Sequence, residues 1–132
     1  MTLSADDRLA ICELLGRYGH LIDQRRWDDL AADVFTEDVV FDATSFGHAV
    51  TTSSAELIEH WRSDLSMHPL AHHVTNIVIT EDGDGTVRVL SKAIGVGRKG
   101  RVGSATYDDV VVRTPEGWRL SRRIAVLRRP GP

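Results

Sequence analysis

Apolar residues in the first half of the chain recur at helical spacing, and in the second half they alternate. Ile11, Leu14, Leu15, Tyr18 and Ile22 fall at i, i+3, i+4, i+7 and i+11, which predicts an amphipathic helix from Ala5 to about Asp23. Ser4 suits its N-cap, and Asp6 and Asp7 lie in the first turn, where the helix dipole favours anions. Gln24-Arg25-Arg26 interrupts the stripe. A second, short helix is predicted from about Trp27 to Phe35, with Trp27, Leu30, Ala31 and Val34 on one face. Asp38 to Asp42 reads as a short strand. Ser53 or Ser54 caps a third helix running to about Leu65, with Leu57, Ile58, Trp61 and Leu65 as its buried stripe. From Leu70 the period becomes two, giving strands over 70–80, 86–97, 104–113 and 117–128. Turn sequences separate the first two strands (Glu81 to Gly85) and the last two (Thr114 to Gly117). Three helices followed by an antiparallel meander predict an α+β fold, in one domain over residues 1–132.

Composition adds little to this but excludes several classes. The hydrophobic fraction of 42% and charged fraction of 27% suit an ordinary globular chain. Cys12 is the single cysteine, so no intrachain disulfide can form. The N-terminus lacks the basic and apolar regions of a signal peptide, and no apolar run approaches a membrane span. A cytoplasmic location without membrane association is expected. The net charge of −3 hides an asymmetry: residues 1–66 carry −8 and residues 67–132 carry +5. The basic residues are spread along strands that also carry acids, so a solvated sheet face is favoured over nucleic-acid binding.

Two motifs promise chemistry that their setting does not support. Gly95-Val-Gly-Arg-Lys-Gly100 spells the dinucleotide fingerprint, but that motif needs a helix after its glycines. Here a strand follows, so the glycines read as a hairpin loop. His68, His72 and His73 invite a metal reading. Adjacent strand residues face opposite ways, however, and no cysteine or H-x-H pattern completes a site. No metal and no cofactor are expected.

Polar residues near the predicted core remain. Asp23 ends the first helix on the flank of its apolar stripe. His73, by strict alternation, shares a strand face with Thr75, Ile77 and Ile79. Tyr18 lies within the helix stripe, and Arg123 alternates with Arg119, Ser121 and Ala125. Each also has an ordinary structural explanation: a solvated acid, a satisfied core histidine, a packed tyrosine and an exposed strand arginine.

Together with Trp27-Asp-Asp-Leu30, Phe35-Thr-Glu-Asp38, His72-His73-Val-Thr-Asn76, Tyr107-Asp108 and Gly117-Trp-Arg-Leu120, these residues resemble the SnoaL-like branch of the nuclear-transport-factor-2-like superfamily. The resemblance spans residues 6 to 128 and implies a cystatin-like fold, with three helices closing a curved antiparallel sheet around a cone-shaped pocket. It implies that Asp23 and His73 match the aspartate–histidine dyad of scytalone dehydratase and bile-acid 7α-dehydratase. Tyr18 then matches a tyrosine of the bile-acid enzymes, and Arg123 an arginine of hexachlorocyclohexane dehydrochlorinase. Ile22 stands where scytalone dehydratase has a tyrosine, and Tyr18 where the dehydrochlorinase has a lysine.

A histidine oriented by a carboxylate is a reasonable general base at neutral pH, and a tyrosine or arginine can stabilise the oxyanion that forms. The expected activity is a cofactor-independent lyase, dehydratase-like, acting on a hydrophobic hydroxylated molecule of polyketide, steroid or terpenoid type. Isomerase or cyclase chemistry with the same base, and a non-catalytic ligand-binding or subunit domain, are the alternatives. Asp23, His73, Tyr18 and Arg123 are the expected catalytic residues. Asp42, Asn76, Phe41 and Trp61 are expected to contact substrate, and Val39, Phe41, Ile77, Val89, Val111 and Leu120 to form apolar walls. A homodimer or small homo-oligomer is expected, covering the outer sheet face that bears Val74, Val78, Val110 and Val112.

Overall fold

A computed structural model describes residues 2–65 and 68–129. Helix α1 (Ala5–Asp23) begins with a capping box. The Ser4 hydroxyl accepts from the Asp7 N–H, and the Asp7 carboxylate accepts from the Ser4 N–H. Helix α2 spans Trp27–Asp33, and α3 spans Ser54–Ser63 with Ser53 as its N-cap. Both end earlier than periodicity suggests. Val34 and Phe35 are buried, but Phe35 already starts a strand, and Leu65 is 40% exposed.

The strands are β1 (Phe35–Asp42), β2 (Ala71–Glu81), β3 (Val87–Val96), β4 (Val102–Thr114) and β5 (Gly117–Arg128). Their order in the sheet is β1-β5-β4-β3-β2. The last four form the expected meander, while β1 pairs with β5 in parallel, so the sheet is mixed. Three helices pack on this one five-stranded sheet. No helix of the described residues is long and apolar enough to cross a membrane.

Two β-bulges decide which side chains face the helices. In β2, Thr75 pairs with Lys92 and Val78 with Leu90, so three residues of β2 span two of β3. Asn76 sits in this irregularity with φ +55, a conformation that asparagine tolerates better than most residues. In β5, Arg122 pairs with Val110 and Leu120 with Val111, leaving Ser121 as the extra residue. Each bulge reverses the in/out alternation along its strand. His72, Val74, Ile77 and Ile79 therefore share the inner side, and Arg123 and Ala125 follow Trp118 and Leu120 into the core.

The inner face also grades in size. On β3 it runs Val87, Val89, Ser91, Ala93, Gly95, and on β4 Val111, Asp109, Tyr107, Ala105, Gly103. Large side chains fill one end against α1. At the other end the side chains shrink to methyl groups and hydrogens, and space remains. Gly95 and Val96 of the glycine motif end β3, and Gly97 to Gly100 lie in the β3–β4 connection, with Lys99 and Gly100 at positive φ.

Candidate active site

The space left by the small residues is a cavity of about 890 Å³, open between the α1–α2 turn and the β3–β4 hairpin. Asp23, His68, His72 and Tyr107 bring polar groups to its wall, and Ile22, Ala93, Ala105 and Leu127 are among its apolar lining.

Asp23 reaches this wall through a close approach of α1 to β2. A Cβ on Gly19 would lie 3.0 Å from the carbonyl oxygen of His72, so the glycine lets the helix sit directly on the strand. One turn further on, at i+4, Asp23 lies over His72. β2 is an edge strand, and the His72 N–H is donated to the Asp23 carboxylate, at 3.1 and 3.0 Å from its two oxygens. His72 Nδ1 lies 2.6 Å from Asp23 Oδ1. A carboxylate is an acceptor, so in the neutral ring Nδ1 carries the proton and Nε2 keeps its lone pair. The His72 side chain is 9% exposed and that of Asp23 22%.

The histidine joined to Asp23 is thus His72, not His73. The Asn76 bulge is the cause: it shifts the inner side from His73 to His72 and leaves His73 exposed on the other side. Asn76 is itself exposed and does not line the cavity. Asp42 is the last residue of β1, where its carboxylate accepts from the Thr44 N–H and hydroxyl, and it does not line the cavity. Phe41 and Trp61 are buried against each other, with ring centroids 5.2 Å apart, and belong to the core rather than the cavity wall. Val39, Val89, Val111 and Leu120 are likewise core residues at the filled end, and Ile77 packs against them without lining the cavity.

Tyr18 and Arg123 sit behind the wall. Arg123 is fully buried, the reverse of an exposed strand arginine, because the Ser121 bulge turns it inward. Its guanidinium lies against the rings of Tyr107, 3.8 Å from the centroid, and Tyr18, at 4.3 Å. Burial opposes its charge, but Asp109 offsets this and raises its pKa. Of the two tyrosines only Tyr107 reaches the cavity, and the rings meet edge to face at 5.9 Å. Burial pushes both phenols above their ordinary pKa, Tyr107 well above. Tyr107 is therefore a neutral hydrogen-bond donor at physiological pH, not a base.

His68 is the second histidine on the wall. Its ring meets Trp61 at 5.1 Å, Trp27 at 6.2 Å and His72 at 5.9 Å, and its buried Nε2 has no partner. Burial, reinforced by electrostatic interaction with neighbouring His72, His48 and Arg25, pushes its pKa down to about 4. It is neutral at physiological pH. Neither His68 nor Tyr107 is among the expected site residues. The signal that could have found them is the size gradient on β3 and β4, which locates the cavity.

A curved mixed sheet closed by three helices, with an aspartate–histidine couple on the wall of an inner cavity, defines a small α+β pocket protein. This chain belongs to the SnoaL-like domain family, whose model matches residues 4–124. The protein named Rv2910c of Mycobacterium tuberculosis is 38% identical over an alignment of 125 residues that covers 89% of this chain and 83% of that protein. A Novosphingobium aromaticivorans structure, named provisionally as an aromatic ring hydroxylase, is 32% identical with a TM-score of 0.76, covering 98% of this chain and 94% of that one. A second structure from the same organism, named provisionally as a scytalone dehydratase, shares the fold. It has 23% identity and a TM-score of 0.71, and covers 96% of this chain and 89% of that one.

Proposed function

We propose that this protein is a cofactor-independent lyase of the dehydratase type, with His72 as general base and Asp23 as its orienting partner. The observation that supports this most is the 2.6 Å contact between Asp23 Oδ1 and His72 Nδ1 at the cavity wall. The carboxylate fixes the tautomer and stabilises the imidazolium that forms on proton transfer. Nε2 takes a proton from a carbon next to a carbonyl, and the freed electron pair forms the new double bond as the β-carbon–oxygen bond breaks. The same imidazolium returns its proton to the departing hydroxyl, so water leaves and His72 is regenerated. Tyr107 donates to the carbonyl oxygen as it gains enolate character, and neutral His68 offers a second polar contact. Arg123 and Tyr18 act as positioning residues for Tyr107. The substrate is a hydrophobic hydroxylated molecule that matches the apolar lining.

A panel of ring-bearing β-hydroxy ketones, acids and thioesters incubated in D₂O tests the reading, with NMR following α-proton exchange and alkene formation. Both should occur for at least one class and vanish in His72→Gln. Saturable binding with neither exchange nor elimination in any class would make this a ligand-binding domain.

A further inference from the structure

The cavity mouth carries charge that the proton transfers above do not use. Arg25 lines it from the α1–α2 turn, and Arg98 and Arg101 line it from the β3–β4 hairpin, so cations flank the opening on the helix side and the sheet side. Arg26, Arg62, Arg88, Arg113 and Arg123 each pair with a carboxylate. Among the described residues no carboxylate is placed in an ion pair with Arg25, Arg98 or Arg101. The carboxylate on the cavity wall, Asp23, is occupied by the N–H and ring of His72. In a chain of net charge −3, three uncompensated cations around one opening make it locally positive.

The turns that carry them include strained residues, and the strand beneath them is open. Arg25 holds φ +56 and Lys99 φ +58, conformations that side-chain-bearing residues avoid, so both turns carry their arginines at some conformational cost. A Cβ on Gly103 would meet nothing within 4 Å, so the wall there is bare strand. Leu70, Val102 and Leu127 continue the lining as an apolar rim. A flat ring can lie along this floor with a charged end among the arginines.

We infer that the mouth is an anion subsite and that the substrate is a hydrophobic ring-bearing molecule carrying a carboxylate or a phosphate. Arg25, Arg98 and Arg101 take the anionic group, for which the guanidinium fork is suited. The ring lies over Gly103 and Ala105, with its far end toward His72. This inference rests on the cavity being the substrate pocket proposed above.

The test is competition against the neutral fluorophore N-phenyl-1-naphthylamine by three naphthalenes of one shape: 2-naphthol, 2-naphthoate and 2-naphthyl phosphate. In low salt the two anions should compete at least about tenfold better than the neutral alcohol, and the advantage should shrink in high salt. Combined Arg25→Gln, Arg98→Gln and Arg101→Gln should abolish the advantage and leave 2-naphthol unchanged. Naphthoate ahead of the phosphate supports a free acid, and the reverse order supports a phosphate-bearing carrier. Equal competition by all three, or an advantage that survives the triple substitution, overturns the inference. So does arginine-dependent binding to phosphatidylglycerol vesicles without any preference among the naphthalenes. His72→Gln should keep the anion preference, so failure of the lyase reading would leave these curves intact.

Discussion

Arg123 donates two parallel hydrogen bonds to Asp109, Nε to Oδ1 and Nη2 to Oδ2, each 2.8 Å, and neither side chain is exposed. Burial pushes the Asp109 pKa up, and the Arg123 charge opposes that rise. Two desolvated charges are costly, and what compensates is the bidentate geometry and the two tyrosine faces around the guanidinium. Removing one partner leaves a buried charge with nothing to answer it. Arg123→Met should therefore lower the unfolding free energy by about 3–5 kcal/mol. Arg123→Met with Asp109→Leu should recover much of the loss. Urea denaturation decides it: a double variant no more stable than the single would mean that the loss reflects packing rather than charge.

The dyad makes a second prediction that separates two adjacent histidines. His72→Gln should lower turnover by roughly 10²–10⁴-fold, and Asp23→Asn by a similar order through loss of tautomer control. The double variant should be little worse than either, because the residues act as one unit. His73→Gln should stay within about twofold of wild type, since that side chain is exposed outside the cavity. Steady-state kinetics on any active substrate distinguishes them, and an effect of His73→Gln as large as that of His72→Gln would refute the assignment.

Gly19 makes a third, because it sets how closely α1 approaches β2. A helix interior prefers alanine over glycine by about 1 kcal/mol, so on propensity Gly19→Ala should stabilise the protein. The added methyl would stand 3.0 Å from a backbone oxygen, and either helix or strand must give by a few tenths of an ångström. The displacement falls on Asp23, one turn away. The expected result is a melting temperature within a few degrees of wild type and turnover reduced about tenfold or more, as misplacement at a catalytic pair costs. Unchanged turnover would show that the couple adapts freely.

The elements themselves were legible because the change from helical to alternating period is strong and the turns are rich in glycine. The site was legible only up to the first bulge. Strict alternation from Ile77 and Ile79 leads back to His73, and strict alternation from Leu120 leads past Arg123. Both steps fail because one inserted residue reverses a strand's parity. In β2 the hint was present: Val74 and Ile77 are apolar at a spacing of three, with Thr75-Asn76 between them. Nothing so local marks Ser121. The parallel pairing of β1 beside β5 is a long-range contact, and no pattern within Asp38 to Asp42 specifies its partner.

The outer sheet face supplies a fourth prediction. Val78 and Leu90 are cross-strand partners and 58% and 51% exposed, and Val126 is 46% exposed. Val74 does not belong to this patch, since it packs against the core, and Val110 and Val112 are half-buried. A second copy of the chain covering this face would bury the patch. Light scattering should then show a dimer at high micromolar concentration, and Leu90→Glu with Val126→Glu should shift it toward monomer. A strict monomer in the wild type would rule the dimer out.

His68 ties the stability of the protein to pH in a direction that can be worked out in advance. Its pKa is about 4 in the folded chain, against the ordinary 6.5, because burial disfavours the charged ring. Between those two values the unfolded chain binds more protons than the folded one, so the unfolding free energy rises with pH there. The contribution is complete above about pH 6.5 and falls away on acidification, with roughly 2 kcal/mol gone by pH 5. Asp7, held near 2 by the Ser4 N–H and by Arg113, titrates below this window and does not mask it. His68→Gln cannot take up a proton, so it should lose less stability than wild type between pH 7 and pH 5, by about that amount. Parallel urea denaturations at the two pH values measure the difference. Equal losses in the two proteins would mean that His68 meets enough water, or a proton acceptor, to ionise inside the folded chain. A neutral hydrogen-bonding role for it in the cavity would then fail as well.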